Sequence, residues 1–240
     1  MSKIALVTDS TSYIPAELVR RYNIVVAPLV LIWGSEAFED GVDIQPAEFY
    51  ARLAKTTVMP TTSQVTIPKF TEIFQKLLDQ DYQVLAILIS EKLSGTINSA
   101  IQAKAILPAG APIEILDSKA TAMALGFQVL AVARAIEQGA SMSEALTVAE
   151  QAARSTGVVF AVDTLEFLYR GGRIGGGTRF LGTALNFKPI LELRDGKVEA
   201  LERVRTRSKS LDRLIELMEH QVAGRTPLRL ASLNANVPEE

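Results

Sequence analysis

Short apolar runs alternate with helix-length amphipathic segments from Ile4 to Gln138, and this constrains the fold more than any other feature of the sequence. Residues 4–7, 24–32, 84–89 and 113–116 are apolar stretches of strand length. Such runs, bounded by turn residues, read as strands buried on both faces. Helical patterns lie between them. Ala16, Leu18, Val19 and Tyr22 supply one apolar face after Pro15, which fits a first helical turn. Residues 46–55, 68–78 and 96–107 read as further helices. Residues 120–138 form a long Ala- and Leu-rich helix closed by Gly139, and Ser141 with Glu144 opens the next through a capping box. Alternating strands and helices predict a Rossmann-like, mostly parallel sheet with helices on both faces. Pro28 is expected to bend the 24–32 strand, residues 35–41 to form a turn, and residues 57–66 a loop.

Beyond residue 155 the pattern changes. Residues 158–162 read as a strand. Residues 189–193 and 197–201 flank Arg194-Asp195-Gly196, a hairpin signal. Residues 208–222 read as a helix and 228–233 as a final strand. An antiparallel hairpin after a parallel run predicts a second, smaller α/β domain, so the expected domains are 1–156 and 157–240.

Composition narrows the chemistry. The 240 residues are 48% hydrophobic, carry a formal charge of −2 and include no cysteine. That excludes a disulfide framework and a thiolate metal site, and argues against a chain built to bind nucleic acid. The single histidine, His220, leaves no usual zinc ligand set. No apolar run has the roughly 18 residues of a membrane span, and the expected location is the cytoplasm.

Three polar clusters stand where predicted strands or loops meet helices. Thr8-Asp9-Ser10-Thr11-Ser12 follows the first strand, where parallel sheets place their ligand crevice. Pro60-Thr61-Thr62-Ser63-Gln64 offers three hydroxyls and an amide to an anion or carboxyl group. In Ser94-Gly95-Thr96-Ile97-Asn98-Ser99, Gly95 lets a backbone approach a ligand closely. Each has an ordinary alternative: a helix cap for the first and third, a solvated loop for the second. Arg170-Gly171-Gly172-Arg173-Ile174-Gly175-Gly176-Gly177 suits either a phosphate cradle or an inter-domain turn, and has no Walker spacing. Arg203, Arg205, Arg207, Lys209 and Arg213 make a basic stretch. Alternation over 203–207 predicts one shared face, either solvated or docking an acidic partner.

Taken in order, these motifs resemble the DegV family. The resemblance rests on Val7 through Ser12, Pro60 through Gln64, Ser94 through Ser99 and Asp117-Ser118-Lys119. It continues in residues 164–174, in 185–191 and in Val204-Arg205-Thr206-Arg207. The family includes the fatty-acid-binding B subunits of bacterial fatty acid kinase. The resemblance implies a two-domain α/β protein, monomeric when free, that holds a long-chain fatty acid between its domains. No other cofactor is implied. Its carboxyl group is expected on Thr62, Ser63, Ser94, Gly95, Thr96 and Arg173, with Asp9, Ser10, Asp117 and Ser118 in support. The acyl chain is expected in an apolar tunnel beside that polar spot. A separate kinase subunit would phosphorylate the bound carboxylate to an acyl phosphate, docking on Arg203, Arg205 and Arg207. The chain itself would be no enzyme and would carry no nucleotide site. The family pattern runs on beyond Glu240, so either the chain is a fragment with an incomplete second domain or its carboxyl site is completed differently; with that segment absent, an exposed sheet edge is expected in the second domain. Asn234 stands where many relatives carry histidine.

From the residues alone two other classes stay open. One is a hydrolase with Ser94 or Ser10 as nucleophile, or an acid/base enzyme using Asp9 and Asp117. The other is a phosphate-binding regulatory module using Arg170, Arg173 and the neighbouring glycines.

Overall fold

The computed structural model describes residues 3–174 and 187–235. Gly175, Gly176, Gly177, Leu185, Asn186 and the residues after 235 lie outside them. The described residues fall into two compact units, one of 3–156 with 233–235, the other of 157–174 with 187–232.

The larger unit is built on a parallel sheet. Its strands are β1 (Lys3–Asp9), β2 (Val25–Ala27), β6 (Tyr82–Leu88) and β7 (Ile113–Asp117), in the order β2-β1-β6-β7. Every pairing is parallel, with Val7 beside Val25 on one edge and Ala86 on the other. Helices α3 (Ile67–Leu78) and α4 (Thr96–Ile106) cover the face onto which Val7, Val84, Ala86 and Leu88 point. Phe70 and Phe74 of α3 are fully buried there, their rings stacked 5.4 Å apart. Helix α5 (Ala122–Glu137) packs on β1 and β6, and α6 (Met142–Ser155) packs on α5. Leu125, Val129 and Val132 of α5 are fully buried, the ordinary core role for its apolar residues. The capping box forms: Ser141 Oγ accepts from Glu144 N, and Glu144 Oε2 accepts from Ser141 N at 2.8 Å.

A smaller antiparallel sheet branches from this unit. Pro28 does more than bend the second apolar run. It has no N–H to continue a ladder, and the run divides into β2 and β3 (Val30–Trp33), which belong to different sheets. Beyond a Gly34-Ser35 turn, β4 (Glu36–Glu39) pairs back on β3, where a plain turn was expected. On the other side of β3 lies β5 (Thr61–Ser63), where a loop was expected. Short β4, with glutamates at both ends, and polar β5 lack a strand-length apolar run and form because β3 offers hydrogen-bonding edges on both sides. Leu31, Trp33 and Ile44 form a separate core with Phe49 and Leu53 of α2 (Pro46–Leu53). Helix α1 (Ala16–Arg21) begins one residue after Pro15, which stands at its cap.

In the second unit, β9 (Lys188–Arg194) and β10 (Lys197–Val204) form the expected hairpin, and β8 (Val159–Ala161) pairs with β9. The Asp195-Gly196 turn has φ of 49° and 79°, the left-handed pair that matches strand twist. Helix α7 (Glu166–Arg170) follows β8, and α8 (Arg207–Val222) packs on all three strands. The stretch 228–233 does not form the expected strand. It has no regular structure, and Leu228, Leu230 and Leu233 are exposed. Apolar alternation without a paired neighbour does not make a strand.

Gly126 explains how closely α5 approaches the end of β1. A Cβ there would lie 2.6 Å from the carbonyl oxygen of Ser12, a contact no side chain tolerates. Gly126→Ala is expected to destabilise the protein by about 1–3 kcal/mol, the usual cost of overpacking. Urea unfolding at constant m-value measures it.

Candidate functional site

Strand β1 is flanked by β2 on one side and β6 on the other, so the connections leave it in opposite directions. The carboxyl ends of β1 and β6 therefore mark the topological switch point, where open α/β sheets bind ligands. Asp9 ends β1 and is fully buried. Its Oδ2 accepts from Ile89 N at 2.7 Å, just beyond β6, and its Oδ1 accepts from Thr11 N at 3.0 Å and Thr11 Oγ1 at 2.6 Å. The Ser10–Ser12 turn and the 89–96 segment are thus tied to one carboxylate. Burial pushes the Asp9 pKa up, and nearby Asp40 adds to this, while the three hydrogen bonds oppose it.

The other supporting residues also bind backbone. Ser10 Oγ accepts from Leu29 N at 3.1 Å, which ties the β1 turn to the start of β3. Asp117 Oδ1 accepts from Lys119 N at 2.8 Å. Ser118 is buried, its Oγ accepting from Ala120 N at 3.1 Å, and Gln128 of α5 donates to its carbonyl. Among the described residues, no histidine or carboxylate hydrogen-bonds Ser10 or Ser94.

The segment leading into α4 carries the hydroxyls. Gly95 caps α4, Ser94 is half-buried and Thr96 fully buried. Ser94 Oγ accepts from Thr96 N at 3.3 Å and lies 2.9 Å from Thr96 Oγ1. Proton bookkeeping assigns that second bond. Thr96 Oγ1 accepts from Val65 N at 3.4 Å, and its own buried proton needs an acceptor, which Ser94 Oγ supplies. Ser94 then accepts twice, and its own proton is free to donate to a ligand oxygen.

The second hydroxyl cluster lies alongside. The Val65–Thr96 bond joins the end of β5 to the first residue of α4, and Gln64 lies against Gly95. Because residues 61–63 are strand, Thr62 and Ser63 point to opposite faces. Thr62 pairs opposite Leu31 and Ser63 opposite Val30.

Arg173 belongs to the second unit, where it is exposed and donates to the carbonyl of Gly171. The basic row does not form one extended face. Strand β10 ends at Val204, and Thr206 Oγ1 caps α8 by accepting from Lys209 N at 3.3 Å, so Arg207 is already helical. Arg205 is exposed, while Arg203 and Arg207 are half-buried. Asp163, bonded to Lys188 at 2.7 Å, also feels the Arg207 charge, and both hold its carboxyl below the ordinary range. Arg213 is held by Glu202 and Glu216.

The sequence pattern gave no sign of Asp40 or Tyr13. Asp40 adds negative potential at Asp9, although it lies beyond β4 in the chain. Tyr13 has φ of 50°, unusual for a bulky residue, and is 53% exposed. Desolvation, then Asp40 and Tyr50, still push its phenol pKa up, so it stays a neutral donor. A signal for Gly126 was present: an isolated glycine inside a helical pattern points to close packing.

This chain belongs to the DegV family. The family model, described as one of uncharacterised proteins, matches residues 3–240. A DegV domain-containing protein of Streptomyces coelicolor is 38% identical over 237 residues, covering 98% of this chain and 83% of that protein. A structure of a fatty-acid-binding DegV family protein from Thermus thermophilus is 37% identical, with a TM-score of 0.85 over 93% of this chain and 79% of that one. A stearic acid-binding protein from Eubacterium ventriosum is 27% identical, with a TM-score of 0.85 over 92% and 77%.

Asp9 yields a pH prediction. Its folded pKa lies above the unfolded value, so its contribution to stability is complete in acid and is lost as pH rises through the folded pKa. Asp9→Asn abolishes that titration, while leaving one backbone N–H without an acceptor at a cost of about 1–3 kcal/mol. The stability advantage of the wild type over this variant is therefore expected to shrink as pH rises from about 4. Paired urea titrations across pH measure it, and an advantage that grows with pH would contradict the assignment.

Proposed function

We propose that this protein binds a long-chain fatty acid, with the carboxyl group held at the carboxyl ends of β1 and β6. The observation that carries the reading is the hydroxyl of Ser94, half-buried in the segment between β6 and α4 and hydrogen-bonded to the buried Thr96. The relatives described as binding fatty acids support it. A buried carboxylate must be hydrogen-bonded, and hydroxyls with backbone N–H groups meet that need. Each acyl methylene removed from water contributes about 0.8 kcal/mol, so the chain supplies affinity while the polar end fixes orientation.

Within this reading Ser94, Gly95 and one of Thr62 and Ser63 form the head-group site, and Thr96 orients the Ser94 hydroxyl. Thr62 and Ser63 point to opposite faces of β5, so only one of them reaches the Ser94 side. The two units act as separate domains. The bound carboxyl group is then presented to a separate kinase subunit, which supplies the nucleotide and forms the acyl phosphate. Arg205 is the exposed arginine of the three proposed for docking.

Organic extraction of the purified protein followed by mass spectrometry tests the ligand class: a long-chain fatty acid is expected, and a sugar phosphate or nucleotide in its place would refute the reading. Ser94→Ala is expected to weaken fatty acid binding by about 1.5–3 kcal/mol, one hydrogen bond to a charged group. Of Thr62→Val and Ser63→Ala, one is expected to weaken binding comparably and the other to stay within about 0.5 kcal/mol of wild type. Arg205→Glu is expected to leave fatty acid affinity unchanged and slow acyl phosphate formation in the presence of the kinase, and loss of lipid binding instead would remove Arg205 from the docking surface.

A further inference from the structure

Gln64 lies one residue past β5, with its side chain exposed. Its amide occupies the space that a side chain at position 95 would need. A Cβ on Gly95 would lie 3.1 Å from Gln64 Cδ, 3.1 Å from Nε2 and 3.2 Å from Oε1. Three nearly equal distances mean that the amide plane lies flat over the Gly95 Cα. Gly95 has φ of −75° and ψ of 6°, a backbone that any residue adopts. Glycine at 95 therefore gives room rather than a special conformation, and an added Cβ would make the Gln64 amide shift. None of the described residues hydrogen-bonds the Gln64 amide, which keeps two donors and an acceptor over Gly95, the residue that follows Ser94.

We propose that the Gln64 amide, seated on Gly95, is a carboxyl-recognising group of the head-group site. This inference rests on the fatty-acid reading. It also changes the role of Gly95: the glycine holds Gln64 in place rather than admitting the ligand to its own backbone. An amide N–H donates to a carboxylate oxygen. A carboxylate in the same position would repel the acid but not an uncharged ligand of equal length.

The test uses the delipidated full chain, with palmitate and hexadecanol as probes. Gln64→Glu is expected to weaken palmitate about tenfold or more at pH 8, and to leave hexadecanol within about twofold. Gln64→Ala is expected to weaken palmitate about three- to tenfold. Gly95→Ala displaces the amide, so it is expected to match Gln64→Ala alone and to add nothing in the Gln64→Ala background. Gln64 is exposed and Gly95 has an ordinary backbone, so these variants fold. The proposal is overturned if Gly95→Ala weakens palmitate equally in both backgrounds, if Gln64→Glu weakens both probes alike, or if palmitate binding ignores Gln64. Failure of the unmodified protein to take up palmitate would overturn the fatty-acid reading itself, and this inference with it.

Discussion

The candidate site depends on one buried carboxylate. Asp9 joins the end of β1 to the backbone just past β6 through a 2.7 Å hydrogen bond from Ile89, and holds the Ser10–Ser12 turn through Thr11. The β1–β6 ladder pairs residues as far as Val7 and Ala86, and Asp9 extends the link past the strand ends to the backbone of Ile89. Burial works against its charge, and three donors work for it. Gly126 completes the arrangement by letting α5 approach the carbonyl of Ser12.

The pieces that present hydroxyls come from elsewhere in the chain and meet because of the small sheet. Pro28 ends β2 and sends the chain into β3, whose free edge collects β5. Strand β5 then delivers Gln64 and Val65 to the first residues of α4. The buried Thr96 hydroxyl accepts from Val65 and donates to Ser94, which leaves one directed donor at the half-buried position. An array of this kind suits a carboxyl group better than a phosphate, which calls for denser positive charge.

Much of the fold was legible because burial on both faces writes itself as apolar runs. Residues 4–7, 84–89 and 113–116 fall within β1, β6 and β7 or pass one residue beyond, and the Arg194-Asp195-Gly196 signal marks the observed hairpin. Strands β4 and β5 were illegible because Glu36 through Glu39 and Thr61-Thr62-Ser63 owe their conformation to β3, not to their own composition. The reverse error occurred at 228–233, where apolar alternation has no paired strand among the described residues. Arg207 left the basic row because Thr206 starts a helix, a cap that the extended reading of 203–207 passed over. In the site, the hydroxyl clusters were visible as motifs. Their hydrogen-bond directions, and the seat that Gly95 offers Gln64, come from contacts between distant parts of the chain.

A crystal structure of the protein with a bound long-chain fatty acid tests the central claim most directly. The account predicts a carboxyl oxygen within hydrogen-bond distance of Ser94 Oγ, at the carboxyl ends of β1 and β6. A fatty acid whose carboxyl group lies away from Ser94, with the Ser94 proton turned to protein or solvent, would contradict it.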